Sequence, residues 1–184
     1  MAKQFSCIET AHRDFISRQK IFFTASAAAD SRVNLSPRST DALRVLDNGR
    51  VAYLDLTGSG NETAAHLRAD GRLTIMFCAF EGAPNILRLY GRGRVLRRGS
   101  PEYSRLLDDE FAGAEPVGAR QIVILDVGLV QTSCGFGVPL FNYAGERPTL
   151  TRWAEAKGES GLAAYWRDKK CAQYRRAADR PAGR

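Results

Sequence analysis

The chain has 184 residues and a mass of 20.3 kDa, which suits one domain and is too small for two independent cores. Its four widely spaced cysteines and two histidines exclude a disulfide framework, a histidine-rich metal centre and an obvious catalytic triad. A net charge of +7 invites a nucleic-acid function, but the excess of basic residues lies at positions 167–184, and the rest of the chain is nearly neutral. We therefore expect residues 1–184 to form a single domain, with residues 149–184 as a C-terminal helical extension and basic tail.

No apolar run reaches the roughly 20 residues that a membrane span requires, and the first residues lack the apolar core of a signal peptide. We expect a cytoplasmic protein without a membrane partner.

The first elements are an amphipathic helix and a strand pair. Residues 5–16 place apolar side chains and His12 on one helical face, and residues 21–27 predict a strand. A second strand, residues 32–35, should break or bulge at Pro37, because proline cannot donate a hydrogen bond to a sheet. A break there would expose Ser36 and Arg38, although an ordinary loop with a solvated arginine is the simpler interpretation.

Residues 51–80 read as a strand, a glycine-rich turn, a short helix and a second strand. Ser59 and Glu62 have the spacing of a capping box, so the helix should begin near Gly60. It should end at Asp70-Gly71, because glycine accepts the left-handed conformation that follows a helix.

This helix start is a candidate anion site. A polar, glycine-flanked start between two strands directs backbone N–H groups and the positive end of the helix dipole outward, which favours a group such as phosphate. A plain structural turn is the competing interpretation, because helix capping also explains each residue.

The longest predicted strand begins at Asn85, with arginines alternating with apolar residues and glycines. Its cationic face is either solvated or binds an anion. Gly91 and Gly93 indicate a bulge, or the close approach of another backbone or a planar ligand.

The remaining elements complete a mainly β (α+β) fold. Ser100 and Pro101 begin a helix, residues 120–129 form a strongly apolar strand, and residues 135–148 form a glycine- and proline-rich loop before two helices. Short, hairpin-linked strands of alternating polarity predict a closed antiparallel barrel with peripheral helices and a C-terminal helical segment, because closing the sheet removes its exposed edges.

Three segments, RVNLSPRS, VAYLDLTGSGNETAAHLRADGRLTIMFCAF and ILRLYGRGRV, resemble the pyridoxamine 5′-phosphate oxidase-like flavoproteins. The resemblance runs from about residue 15 to residue 107, and the C-terminal part is similar to an uncharacterised subgroup rather than to the vitamin B6 enzyme. It implies an FMN-binding split β-barrel that forms a homodimer, with the cofactor at the subunit interface.

The resemblance also implies the residues that bind FMN. It places Arg32 and residues 36–38 along the flavin, residues 53–55 at the isoalloxazine edge, and residues 59–63 at the phosphate. It assigns no metal ligand and no catalytic residue. The implied set is Arg32, Ser36, Pro37, Arg38, Tyr53, Leu54, Asp55, Ser59, Gly60, Asn61, Glu62, Thr63, Arg88 and Tyr90.

The chain departs from the family pattern in two places. The true oxidases usually carry Ser-Arg-Lys at the helix start, where this chain has Asn61-Glu62-Thr63, so cationic contacts to phosphate are lost and an acid is added. Arg32, Arg38 or the partner's Arg88 would compensate. The C-terminal arginine motif that binds pyridoxal phosphate is not recognisable, which argues against pyridoxamine phosphate oxidation.

These observations favour an FMN-binding oxidoreductase that acts on an unknown small molecule, in which the flavin itself carries the redox chemistry. The alternative is a non-catalytic protein that binds a flavin or a related cofactor, such as a sensor or a carrier, because such a resemblance identifies a pocket more firmly than a reaction. Nucleic-acid binding ranks last, since the basic tail contains no recognisable module.

Overall fold

The computed structural model describes residues 2–178, with side chains described up to residue 168. Its strands are β1 (Lys3–Phe5), β2 (Ile21–Ser26), β3 (Asn34–Ser39), β4 (Leu43–Val45), β5 (Arg50–Leu56), β6 (Arg72–Cys78), β7 (Ile86–Arg97) and β8 (Ala119–Ser133). Its helices are α1 (Thr10–Arg18), α2 (Glu62–Ala69), α3 (Pro101–Phe111) and α4 (Thr149–Ala178), and a 3-10 turn, Thr40–Ala42, links β3 to β4.

All strand pairs are antiparallel, and the sheet order is β3-β2-β6-β7-β8-β5-β4. The long strand β8 pairs with β7 on one side, and with β5 and then β1 on the other. Within residues 2–178, β3 and β4 are the two edges of this curled sheet. The predicted mainly β (α+β) split barrel with peripheral helices and a C-terminal helical segment is therefore confirmed. The predicted closure of the sheet is wrong, because β3 and β4 do not pair with each other within residues 2–178.

Side chains fill the barrel interior, because alternate residues of the strands point inward. The interior cluster includes Phe22, Val51, Tyr53, Ile75, Phe77, Leu87, Leu89, Val123 and Leu125. On the outer face of β5 and β8 a second cluster packs beneath α3, formed by Ala52, Leu54, Leu96, Tyr103, Leu107, Phe111, Ile122 and Ile124. A cofactor-sized ligand must therefore bind outside the interior cluster.

The N-terminal helix is shorter than predicted, since α1 begins at Thr10 and Phe5 lies in β1, paired with Val130. His12 is a packed histidine. Its Nδ1 accepts a hydrogen bond from the Glu9 amide at 3.0 Å, and its ring meets that of Phe5 edge-on at 4.6 Å.

The predicted break at Pro37 is wrong. β3 continues through Pro37, which pairs with Phe23 of β2. Proline is tolerated there because β3 is an edge strand of the sheet. The predicted bulge in β7 is confirmed between Tyr90 and Gly91, where a Cβ on the glycine would collide with the carbonyl oxygen of Asp126. The backbone of β8, not a planar ligand, requires this glycine.

The C-terminal extension consists of two helical pieces, as predicted, because α4 is interrupted at Gly158 (φ 62°, ψ 174°). Most of the predicted basic tail, residues 167–184, lies outside the residues whose side chains are described. None of the helices within residues 2–178 has the length and apolar character needed to cross a membrane.

Candidate cofactor site

Asp55, near the end of β5, is the centre of a buried polar cluster and is 2% exposed. Its Oδ1 forms an ion pair with Nη1 of Arg38. Its Oδ2 accepts hydrogen bonds from Nη2 of Arg120 at 2.6 Å and from Nε2 of Gln121 at 2.7 Å. Gln121 Nε2 also donates to Oδ1 of Asn61 at 2.9 Å. We call these five residues the Asp55 cluster.

The Asp55 cluster spans the opening of the barrel. Arg38 belongs to the edge strand β3, whereas Asp55 belongs to β5 on the other side of the opening. β4 pairs only with the first part of β5, opposite Val51 to Tyr53, so Asp55 lies beyond the end of β4. A buried carboxylate of this kind is stable only while its charged partners are present, and loss of a partner costs about 3–5 kcal/mol.

Tyr53 packs directly beneath the cluster. The Arg38 guanidinium lies over the Tyr53 ring, 4.7 Å from its centroid, and the ring meets that of Phe22 in the interior. Burial raises the pKa of the Tyr53 hydroxyl, so it stays neutral at physiological pH. Tyr53 thus supports Arg38 from the barrel side.

The capping box predicted for Ser59 and Glu62 is wrong. α2 begins at Glu62, its N-cap is Asn61, and the Asn61 side chain makes no capping hydrogen bond. The Asn61 oxygen is bonded to Gln121 instead. Because this side chain is engaged elsewhere, it does not occupy the first amides of α2, which lie at the positive end of the helix dipole.

Two oppositely charged groups meet at the turn before α2. Arg120 Nη1 donates to the carbonyl oxygen of Gly60 at 3.0 Å. The Glu62 carboxylate folds back over Gly60, where a Cβ would collide with it. The colliding atoms are the flexible end of the Glu62 side chain, so a larger residue at position 60 would displace this carboxylate. The helix start carries both a cation from β8 and an acid of its own.

Arg120 is the site residue that sequence reasoning missed. Its side chain is 9% exposed, and its buried Nε has no hydrogen-bond partner among the described residues. It lies at the start of an apolar strand that the sequence analysis treated only as core. Arg120 is identified by a tertiary contact, because Asp55 of β5 pairs with Gln121, the next residue after Arg120, in β8.

Ser36 and Thr63 are linked to each other through Asn34. Asn34 Nδ2 donates to Thr63 Oγ1 at 2.9 Å, and Ser36 Oγ donates to Asn34 Oδ1 at 3.3 Å. These bonds hold β3 against the first turn of α2. The structure therefore brings Ser36, Arg38, Tyr53, Asp55, Gly60, Asn61, Glu62 and Thr63 into one region, and Ser59 lies on the same turn.

Five predicted residues lie elsewhere. Pro37, Arg88 and Tyr90 belong to the outer face of the sheet, where Pro37 and Arg88 occupy one row across β3, β2, β6 and β7. Arg88 Nη1 donates to Ser133 Oγ at 3.0 Å. Leu54 packs beneath α3, on the opposite face of β5 from Asp55. Arg32 is exposed in the turn before β3.

The residues of this region fit a phosphate-bearing cofactor. The N-cap residue of α2, Asn61, makes no capping hydrogen bond, and Arg120 places beside it a buried Nε that has no partner among the described residues. Arg38 adds a second cation, while the Glu62 carboxylate opposes an anion. No group of three or more histidine, cysteine or acidic side chains in the described part of the chain is arranged to hold a metal ion.

A curated protein is similar to this chain in sequence. The chain is 44% identical over 133 residues to the pyridoxamine 5′-phosphate oxidase family protein ustO of Aspergillus flavus, and the match covers 71% of this chain and 53% of that protein. The chain thus spans about half the length of this curated relative.

Two solved structures have the same architecture. A variant of HupZ from group A Streptococcus superposes with a TM-score of 0.57 at 19% identity, over 68% of this chain and 99% of that chain. A pyridoxamine 5′-phosphate oxidase-related, FMN-binding protein from Nostoc punctiforme superposes with a TM-score of 0.50 at 10% identity, over 67% and 82% of the two chains. The family model described as pyridoxamine 5′-phosphate oxidase matches residues 8–134. The chain therefore belongs to the pyridoxamine 5′-phosphate oxidase family.

Proposed function

We propose that the chain forms a homodimer that binds FMN at the subunit interface and uses it to oxidise or reduce a small molecule other than pyridoxamine 5′-phosphate. The observation that carries this proposal is the meeting of Arg38, Arg120 and the start of α2 at the opening of the barrel. Family membership and the FMN-binding description of the Nostoc protein support the choice of cofactor.

In this proposal the phosphate is held by the first turn of α2 and by Arg120. The amides of residues 61–63 and the helix dipole favour an anion, and the hydroxyls of Ser59 and Thr63 lie on the same turn. Arg120 replaces the cation that the family usually places at the helix start. Arg38, held in one orientation by Asp55, adds a second positive charge.

The ring system would lie along β3, following residues 36–38 and the backbone of residues 53–55. The interior cluster has no space for it, so it lies on the open side of the barrel. Val33 and Leu35 beside it are 70% and 63% exposed, as expected for residues that a second subunit covers. The partner's Arg88 and the partner's Tyr90 would then complete the site.

FMN supplies the electron-transfer chemistry when it is bound, and the protein supplies binding, orientation and electrostatics. The side chains of the Asp55 cluster donate hydrogen bonds to one another. Their role is to hold the charged groups of the site in position. We also propose a cytoplasmic location, because Cys7, Cys78 and Cys134 are unpaired thiols, as is usual in a reducing compartment.

The test is spectroscopic. The purified full chain should be yellow, release FMN on denaturation, lose its flavin absorbance with a nicotinamide donor under anaerobic conditions, and regain it in air. Bound FMN that is reduced by dithionite but by neither NADH nor NADPH would support a flavin-binding carrier or sensor instead. Failure to take up FMN during reconstitution would contradict the proposal.

A further inference from the structure

A cavity of about 910 Å³ lies beside Arg38, outside the barrel interior. Its walls are the end of α1 with the following turn, the end of β3, the turn after β6, and residues 141–147 of the loop between β8 and α4. Its volume lies within the range of about 300–1,000 Å³ that is usual for small-molecule sites.

The loop wall, formed by residues 141–147, lies outside the segment that matches the family, which ends at residue 134. The ring of Phe141 packs on that of Phe80 with centroids 5.5 Å apart, and its amide donates to the Phe80 carbonyl oxygen at 2.9 Å. The amide of Tyr143 donates to Glu81 Oε1 at 3.4 Å. These contacts attach the loop to the turn after β6, so the wall is built by specific interactions.

The lining favours a flat, apolar body. Phe15, Phe80, Phe141 and Tyr143 all contribute to the walls. Phe141 is 60% exposed, so ring surface that is not packed on Phe80 is available for stacking. Tyr143 is 47% exposed, and Nζ of Lys20 lies over its ring, 5.6 Å from the centroid. Aromatic side chains at such a site bind planar rings by offset or edge-to-face packing.

The charges favour an anion. Four cations line the cavity, Arg18, Lys20, Arg38 and Arg147, against two acids, Glu81 and Glu146. The acids keep their charge but are held in the loop, since Glu81 accepts from the Tyr143 amide and Glu146 accepts from the Tyr143 hydroxyl at 2.8 Å. Arg18 and Arg147 also line the cavity, and within the described side chains they make no hydrogen bond or ion pair. The cavity therefore presents unpaired positive charge beside aromatic surface.

Arg38 connects this cavity to the Asp55 cluster. Its guanidinium is anchored by Asp55, yet its side chain is 21% exposed and lines the cavity. A ligand in the cavity would lie next to the strand along which we place the flavin.

We infer that this cavity is the substrate site and that it binds a small planar aromatic molecule bearing an anionic group. The assignment as a substrate site rests on the proposed function, whereas the ligand class rests on the lining alone.

The experiment measures binding of 2-naphthoate and its neutral isostere 2-naphthamide to the full chain by calorimetry, with and without FMN. Naphthoate should bind about tenfold more tightly than naphthamide, because only the carboxylate gains charge-assisted contacts. Arg18→Gln combined with Arg147→Gln should remove this preference, and Arg105→Gln, an exposed arginine of α3 outside the cavity, should preserve it.

A second pair of variants tests the loop wall. Phe141→Ala should weaken both probes about tenfold, because it removes a stacking surface. Leu140→Ala is the matched control, since Leu140 is 74% exposed in the same loop and does not line the cavity. Equal effects of the two substitutions would overturn the inference, as would equal binding of the two probes.

The two proposals fail in distinguishable ways. Naphthoate should alter the visible absorbance of bound FMN without releasing it. Release of one FMN per naphthoate, or an unchanged spectrum, would overturn the placement of the cavity beside the flavin. Binding of naphthoate by a chain that takes up no FMN would refute the proposed function while leaving the ligand class intact.

Discussion

Arg38 and Asp55 form an ion pair across the opening of the barrel, joining β3 and β5, two strands that are not paired in the sheet of the described residues. The same contact bridges the opening and orients Arg38, one of the cations that line the cavity. Two roles, one structural and one in binding, therefore depend on a single carboxylate.

Asp55→Asn should lower the free energy of unfolding by about 3–5 kcal/mol, because it leaves two buried guanidinium groups without their counter-charge. Thermal and chemical denaturation measure this. The control is Glu102→Gln, whose side chain is 54% exposed and pairs with Arg94, and an exposed pair contributes at most about 1 kcal/mol. Similar losses in the two variants would show that the Asp55 cluster does not stabilise the fold.

Arg120→Gln should weaken FMN about ten- to a hundredfold while changing riboflavin binding little, because riboflavin lacks the phosphate. The affinity ratio of the two ligands isolates the phosphate contribution even if the variant is less stable. Arg120→Lys should restore part of the ratio. An unchanged affinity ratio in Arg120→Gln would show that Arg120 contacts Asp55 and Gly60 but does not bind the phosphate.

Glu62→Gln should strengthen FMN binding about three- to tenfold, because it removes a negative charge from the helix start at which we propose that the phosphate binds. The gain should shrink in high salt, since Glu62 is exposed. Asp109→Asn, an exposed acid on α3, controls for the change in net charge. A gain of the same size in the control would point to the overall charge of the protein rather than to the site.

Leu35→Glu should convert the proposed dimer to a monomer, because it places a charge on a 63% exposed side chain of β3 where the partner would pack. Val117→Glu, at a 44% exposed position outside this face, should leave the assembly unchanged. Light scattering at micromolar concentration compares the two. A wild-type chain that is already monomeric would refute the interface.

Glu115→Gln should reduce the loss of stability that the protein undergoes as the pH falls. Hydrogen bonds from Arg98 and then Tyr103 lower the pKa of Glu115 below its ordinary value of 4.5. A depressed pKa means that this carboxylate stabilises the fold above the unfolded value and loses that contribution as the pH falls below about 4.5. Melting temperatures from pH 6 to pH 3 should therefore fall less in Glu115→Gln than in the parent. Parallel curves would contradict this linkage.

The β5-turn-α2-β6 unit was predictable because its signals are local. The strand predicted at the start of residues 51–80 is confirmed as β5, Arg50–Leu56, since the β-branched run and the glycines that end it lie within a few residues of each other. The helix cap was predicted wrongly because Gln121, distant in sequence, engages Asn61. No local sequence pattern predicts the contact between Gln121 and Asn61.

The positions of Pro37 and Arg120 also depend on tertiary structure, which local sequence patterns do not predict. Pro37 sits within a regular strand because β3 is at the sheet edge, and strand order is a tertiary property. Arg120 reaches Asp55 and Gly60 only because β8 pairs with β5. The family resemblance predicted the region of the candidate site, and the structure identified Arg120 as a cation within it.

The most direct test of the proposed cofactor site is a titration of the full, cofactor-free chain with FMN and with riboflavin. We predict saturable binding of one FMN per subunit, with riboflavin at least about tenfold weaker, because the start of α2 with Arg120 and Arg38 recognises the phosphate. Equal affinity for the two ligands, or no binding of either, would contradict the account.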